Sequence, residues 1–203
     1  MGLGLASFNW TPNRFLDDLR RVPVLYYLHG YLSGPNSRKG KLLRERFNAL
    51  SINYHEGPPE SLDVNEALRR IAETIEGDAD PSLIGSSFGG FLAAKTALNS
   101  EAVKTIILLN PAIIPPGAKA DKLRGIPDSI LQQMRDGRLF GTKIKARIFL
   151  LIGLRDDVIP ADWSMRFAKA QQARLTFLDD DHAFAIDPSR VLNVIEEILF
   201  TSC

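Results

Sequence analysis

Cysteine is almost absent from this sequence: the last of its 203 residues, Cys203, is the single one. One thiol excludes an intrachain disulfide framework and the paired-cysteine knuckles of structural zinc sites. Histidine is scarce as well, with three residues, His29, His55 and His182, so chemistry that needs an imidazole has few places to be. No apolar run approaches the roughly 20 residues of a membrane-spanning helix. Charge of one sign is missing too, since 25 Lys+Arg face 24 Asp+Glu for a formal net charge of +1. That balance offers no basic surface of the kind that draws nucleic acid or an anionic membrane. The opening MGLGLASFNW lacks the basic n-region of a secretory signal, and Ala6 stands where a myristoylation site needs Ser or Thr. The expectation is a cytoplasmic protein that acts on a small molecule without metal or cofactor; the sequence does not fix its oligomeric state.

What is present has a clear rhythm. Short β-branched and aromatic runs alternate with segments of helical period, the pattern of a parallel sheet covered by helices. Strands are expected at 22–28, 51–55, 81–86, 103–110, 146–153 and 174–179. The second of these, SINYH, is the most polar and suits a sheet edge. Helices are expected at about 38–49, 61–76, 88–99 and 189–200. Ser37 and Ser61 are plausible N-caps, and Asp187-Pro188 is a good N-cap and N1 pair for the last helix. Residues 1–20 suit a short arm or helix. Residues 111–143, with Pro111, Pro115, Pro116, Gly117 and Pro127, interrupt the rhythm, and a polar helix is expected near 128–136. An insertion of that size between central strands suggests a small lid, so the expected organisation is one domain over 1–203 with a lid at 111–143.

The third strand runs into GSSFG, residues 85–89. A G-x-S-x-G between a strand and a helix is the context of a nucleophile elbow. The turn is so sharp that residues two before and two after the serine have no room for side chains, hence Gly85 and Gly89. It lifts the Ser87 hydroxyl above the sheet. Ser86 lacks glycines at those offsets. A serine hydroxyl needs a base to take its proton, and the base needs an orienting acid. Where the elbow supplies the serine, the chain order is Ser, acid, His, and His29 and His55 both precede Ser87. His182, in DDDHAF after the sixth strand, is left as the base. The acid is expected in GLRDDVIP after the fifth strand. Asp156 is favoured over Asp157, which suits solvent or the cap of a helix near Ala161; Asp179, Asp180 and Asp181 stand as further choices.

Attack on a carbonyl creates an oxyanion that needs two N–H donors held ready. The residue after the nucleophile, Phe88, supplies one, and the loop after the first strand supplies the other. That loop opens with His29-Gly30-Tyr31, so the Tyr31 N–H is the second candidate, with Gly30 allowing close approach and His29 a buried turn residue. Leu32 and the lid residues Ile130, Leu131, Met134 and Phe140 are candidate walls of an acyl pocket. The same loop, LHGYLSGPNSRKGK at 28–41, is not a P-loop. Gly34 and Gly40 are one residue too far apart, and Leu42 follows Lys41 where Ser or Thr is required. A solvated Lys39 is the expectation, with contact to an anionic part of a substrate as its alternative.

The series HGYLSGPNSRK, GSSFGGFLA, GLRDDVIP and DDDHAF resembles the α/β-hydrolase superfamily. The first two segments are similar to the small bacterial YqiA-type esterases, whose loop reads roughly HGF-x-S-S-P-x-S-x-K; here Tyr31 replaces Phe and Gly34 replaces Ser. The resemblance implies the α/β-hydrolase fold and hydrolysis of carboxylic esters or thioesters by a triad of Ser87, Asp156 and His182. The acid segment is closer to general α/β-hydrolases than to that subfamily. An acyltransferase or peptidase using the same triad is the alternative within enzymes. A non-catalytic binding scaffold is the alternative outside them, although such a module has no need of all three residues.

Overall fold

A computed structural model of the chain describes residues 24–120, 123 and 125–200. Six parallel strands, β1 (Leu25–Leu28), β2 (Leu50–Ser51), β3 (Ser82–Ser86), β4 (Thr105–Leu109), β5 (Arg147–Arg155) and β6 (Arg174–Asp181), form one sheet in the order β2-β1-β3-β4-β5-β6. Among the described residues, seven α-helices connect and cover them: α1 (Arg38–Phe47), α2 (Val64–Thr74), α3 (Phe88–Asn99), α4 (Asp128–Met134), α5 (Arg138–Gly141), α6 (Ala161–Gln171) and α7 (Pro188–Phe200). This is the α/β-hydrolase fold. The strands place successive side chains on opposite faces, and two cores result. Tyr26, Leu28, Ile106, Leu108, Ile148 and Leu150 pack with residues of α2, α3 and α6, whereas Leu25, Tyr27, Ile107, Leu109, Phe149 and Leu151 pack with Leu43 of α1 and Val191 and Ile195 of α7. Among the described residues, no helix is long and apolar enough to cross a membrane.

The local differences from expectation have local causes. SINYH contributes only its first residue to β2, because Tyr26 and Tyr27 pair with Leu50 and Ser51 alone; Ile52 and Tyr54 turn into the core instead. Ser37 caps α1 by accepting the Gly40 N–H at 3.2 Å. Ser61 caps nothing: its hydroxyl donates to Pro58 O, and α2 begins three residues later with Asp63 Oδ1 accepting the Glu66 N–H at 2.9 Å. Residues 1–20, expected as an arm or helix, lie outside the described residues.

Segment 111–143 is fastened to the sheet rather than lying over it as a free flap. Ile130, Met134 and Leu139 are buried in the core shared with α3 and α6, and Phe140 meets Phe167 edge to face. The Gln171 amide donates to Leu139 O and Thr142 O at 2.7 and 2.8 Å and accepts the Ile144 N–H at 3.0 Å. Lys95 and Arg138 both pair with Asp136.

Two devices hold the loops at the C-terminal edge of the sheet. Asn110, buried at the end of β4 with φ +44°, accepts the Gly153 N–H at 2.8 Å and donates to Asp181 O and His182 O, each at 3.2 Å. It thereby clasps the ends of β4, β5 and β6. Asp180, 2% exposed, accepts the N–H groups of Asp181, Ile186 and Asp187 at 2.8 to 3.0 Å. Burial pushes its carboxyl up, but those three N–H donors outweigh burial and hold it below the ordinary 3.8.

Backbone crowding at the start of α3 gives a direct test. A Cβ on Gly89 would sit 2.1 Å from Leu28 O and 2.4 Å from His29 O, whereas one on Gly141 would meet nothing within 4 Å. Gly89→Ala is expected to lower stability by about 3 kcal/mol or more, and Gly141→Ala to leave it unchanged or raise it by up to about 1 kcal/mol; urea unfolding followed by circular dichroism separates the two. Asp180→Asn is expected to cost about 2 kcal/mol at neutral pH. Because the native carboxyl is depressed, its contribution is full above the unfolded value near 4 and is lost as pH falls through the lower native value. The acid limb of the stability profile should therefore be shallower in Asp180→Asn than in the wild type.

Candidate active site

Ser87 stands between β3 and α3 with φ +53° and ψ −116°, a conformation that L-residues adopt only under constraint. The constraint is visible on every side. Its N–H donates to Leu109 O at 2.9 Å, and its carbonyl accepts the N–H groups of Gly90, Phe91 and Ala112 at 2.9, 3.3 and 3.0 Å. A Cβ on Gly85 would lie 2.3 Å from Gly89 O, and one on Gly90 would lie 2.8 Å from Pro111 Cβ. No side chain fits where strand and helix cross. Ser86 and Ser87 both line an open cleft, and Ser86 is buried.

His182 Nδ1 lies 2.8 Å from Asp156 Oδ2. A carboxylate only accepts, so Nδ1 is the donor. The other oxygen, Asp156 Oδ1, accepts the Val158 and Ile159 N–H groups at 2.8 and 2.9 Å. Asp156 is therefore fixed by its own loop and turned to the imidazole, with its side chain 3% exposed against 24% for His182. Asp157 is exposed and caps no helix, since Pro160 precedes α6 with no side-chain cap. The other acids have separate tasks. Asp179 pairs with Arg155 at 2.7 Å, Asp180 holds its loop as above, and Asp181 Oδ1 accepts the Ala185 N–H at 3.0 Å. Among the described residues, no group of three or more His, Cys, Asp or Glu could hold a metal ion.

The loop after β1 is built around a buried ring. His29 stacks on Tyr54 with centroids 4.3 Å apart, and its Nδ1 lies 2.9 Å from Gly30 O. A carbonyl only accepts, so Nδ1 carries the proton and the buried Nε2 has no described partner. Burial lowers the pKa of His29, which keeps the ring neutral. The Tyr54 hydroxyl donates to His29 O at 2.9 Å, and the Ser33 N–H also donates to Gly30 O at 3.1 Å. With that carbonyl held inward, the trans peptide sends the Tyr31 N–H the opposite way. Gly30 touches the serine turn, since a Cβ there would lie 3.7 Å from Ser87 Cβ. The Phe88 N–H is the first amide of α3 and has no intrahelical acceptor.

Ser87 and His182 share one cleft of about 540 Å³ with Tyr31, Leu32 and Ser33. They line it, and among the described residues no direct hydrogen bond joins the two side chains. The expected pocket needs correction. Of the apolar candidates, Leu32 lines the cleft, whereas Ile130 and Met134 are core and Leu131 and Phe140 pack against that core. The apolar face of α4 is consumed by the sheet side, so Leu123, Ile126 and Val158 line the cleft instead. Lys39 also departs from expectation: it lines the cleft and its Nζ donates to Ala183 O at 2.7 Å. Asn110 and Tyr54 gave no motif signal; Asn110 only announced itself as the residue between a strand and Pro111.

Solved structures share this architecture. The chain is similar to Est1E from Butyrivibrio proteoclasticus, with a TM-score of 0.74, 19% identity and 88% of this chain matched to 87% of that one; Est1E is also known with ferulic acid bound. It is similar to a monoacylglycerol lipase from Paleococcus ferrophilus, with a TM-score of 0.69, 19% identity and coverage of 87% and 93%. It is likewise similar to an esterase of Pyrococcus furiosus, with a TM-score of 0.68, 18% identity and coverage of 87% and 82%. At such identities the likeness is one of fold. Residues 24–198 match the family model described as an uncharacterised protein family (UPF0227), and the chain belongs to that family.

Proposed function

We propose that the protein is a serine hydrolase that cleaves carboxylic esters or thioesters through an acyl-enzyme on Ser87. The observation that carries this reading is the His182–Asp156 contact of 2.8 Å in the same cleft as a serine held at positive φ. With Nδ1–H committed to Asp156, Nε2 is the nitrogen left to take the Ser87 proton as Oγ attacks the carbonyl carbon. The carbonyl oxygen becomes an oxyanion, for which the Tyr31 and Phe88 N–H groups are the proposed donors. Collapse of the intermediate expels the alcohol or thiol, which takes the proton from His182. Water then attacks the acyl-enzyme by the same route in reverse. No step calls on a metal or cofactor.

In this reading the chain is one domain, and segment 111–143 is a partial cover. Its Leu123 and Ile126 face the substrate, while α4 and α5 anchor it. A cytoplasmic setting, expected from the cysteine content, belongs to the same proposal. Esterases and a lipase among the similar structures support hydrolysis as the chemistry of the fold.

A fluorophosphonate probe tests the reading at the residue level. Mass spectrometry is expected to find one adduct per chain, on Ser87, absent from Ser87→Ala and formed far more slowly in His182→Ala. Asp156→Asn should lower kcat on a p-nitrophenyl ester by about 10⁴-fold. Folded wild-type protein that takes up no label would contradict the proposal.

A further inference from the structure

Among the described residues, the fixed charges lining the cleft have one sign. Arg38 and Lys39 line it, and no described aspartate or glutamate does; Asp156 sits behind the imidazole, with a side chain 3% exposed. Neither cation is ion-paired with a described carboxylate. Lys39 Nζ donates to Ala183 O at 2.7 Å, which places the ammonium beside the residue that follows His182. An ammonium has three donors, so that bond leaves two. Burial pushes Lys39 down to about 8, against the opposite pull of Asp181, Asp180 and Asp156, and the neighbouring Arg38 pushes it further down. A cation held in a partly dehydrated place next to a second cation is relieved by an anion. The apolar part of the lining, which includes Leu32, Leu123, Ile126 and Val158, suits hydrocarbon.

We infer that the cleft selects esters or thioesters bearing an anionic group, a carboxylate or phosphate, bound by Lys39 and Arg38 while the hydrocarbon part lies along the apolar wall. The inference rests on the hydrolase reading above and names the substrate class of that same site. The anion can sit on the acyl part or on the leaving group, and both sources present the same oxygen acceptors to the two cations.

Matched substrates distinguish them. The acyl arm compares p-nitrophenyl heptanoate with the ester of equal chain length that ends in a carboxylate. The leaving-group arm compares the butyrate esters of benzyl, 4-carboxybenzyl and 4-phosphonobenzyl alcohol, whose leaving-group basicities are close. The readout is the ratio of kcat/KM for the anionic over the neutral member, which a general loss of activity does not move. At least one arm should favour the anion by about tenfold or more, the size of one charge-assisted hydrogen bond. Lys39→Met and Arg38→Met should each bring that ratio down severalfold, Lys39→Arg should retain it, and about 0.5 M NaCl should shrink it by screening. Hydrolysis of the neutral esters with ratios near one in both arms, or ratios unmoved in both Met variants, overturns the inference and leaves the hydrolase reading standing. Absence of hydrolysis together with absence of fluorophosphonate labelling overturns both.

Discussion

The crossing of β3, α3 and β1 at Ser87 is a steric constraint on which the rest of the site depends. Gly85, Gly89 and Gly90 bring four stretches of backbone so close that added Cβ atoms would lie 2.1 to 2.8 Å from their neighbours. That closeness forces Ser87 to φ +53°, and a non-glycine residue there costs on the order of 1–3 kcal/mol. The cost is met locally. Four backbone hydrogen bonds converge on Ser87, linking it to β4, to the first turn of α3 and to Ala112. The same crossing sets Gly30 of the β1 loop against the serine. Serine, helix start and β1 loop are therefore fixed by one packing event.

The second half of the site comes from the far strands and is fastened by hydrogen bonds rather than by crowding. Asn110 connects the backbones of Gly153, Asp181 and His182, so the loops carrying Asp156 and His182 are referred to a common point at the end of β4. Asp180 folds the loop back on itself, and Lys39 reaches across from α1 to Ala183. Residues far apart in sequence are thus preorganised by a buried amide, a buried carboxylate and one ammonium. Preorganisation of this kind is what electrostatic stabilisation of a transition state requires, because the dipoles need not reorient during reaction.

The central strands of the sheet were legible in the sequence because they are apolar runs with turn residues at their ends, whereas the two-residue edge strand β2 was not. The helix 88–99 could be read to the residue because glycine and serine bound it. Scarcity helped as well: with three histidines and a fixed chain order, His182 was the one imidazole able to follow the acid. Side-chain direction was less legible. The apolar residues of 128–140 announce burial but not against what, and the sheet-side core claimed Ile130 and Met134 rather than the cleft. Ser61 and Asp63 are both good N-caps by type, and the short helical turn at 59–61 decided for Asp63. Lys39 looked solvated because lysine usually is; its tether to Ala183 spans 144 positions, a contact that no local pattern encodes.

The central claim is that Ser87, with His182 and Asp156, becomes acylated during turnover. Rapid quenching after mixing with an activated ester, followed by intact-protein and peptide mass spectrometry, measures this directly. The account predicts one added acyl mass on the peptide containing Ser87, formed in a burst and lost as product accumulates. Steady product release with no covalent species, or an acyl group on another residue, would contradict it.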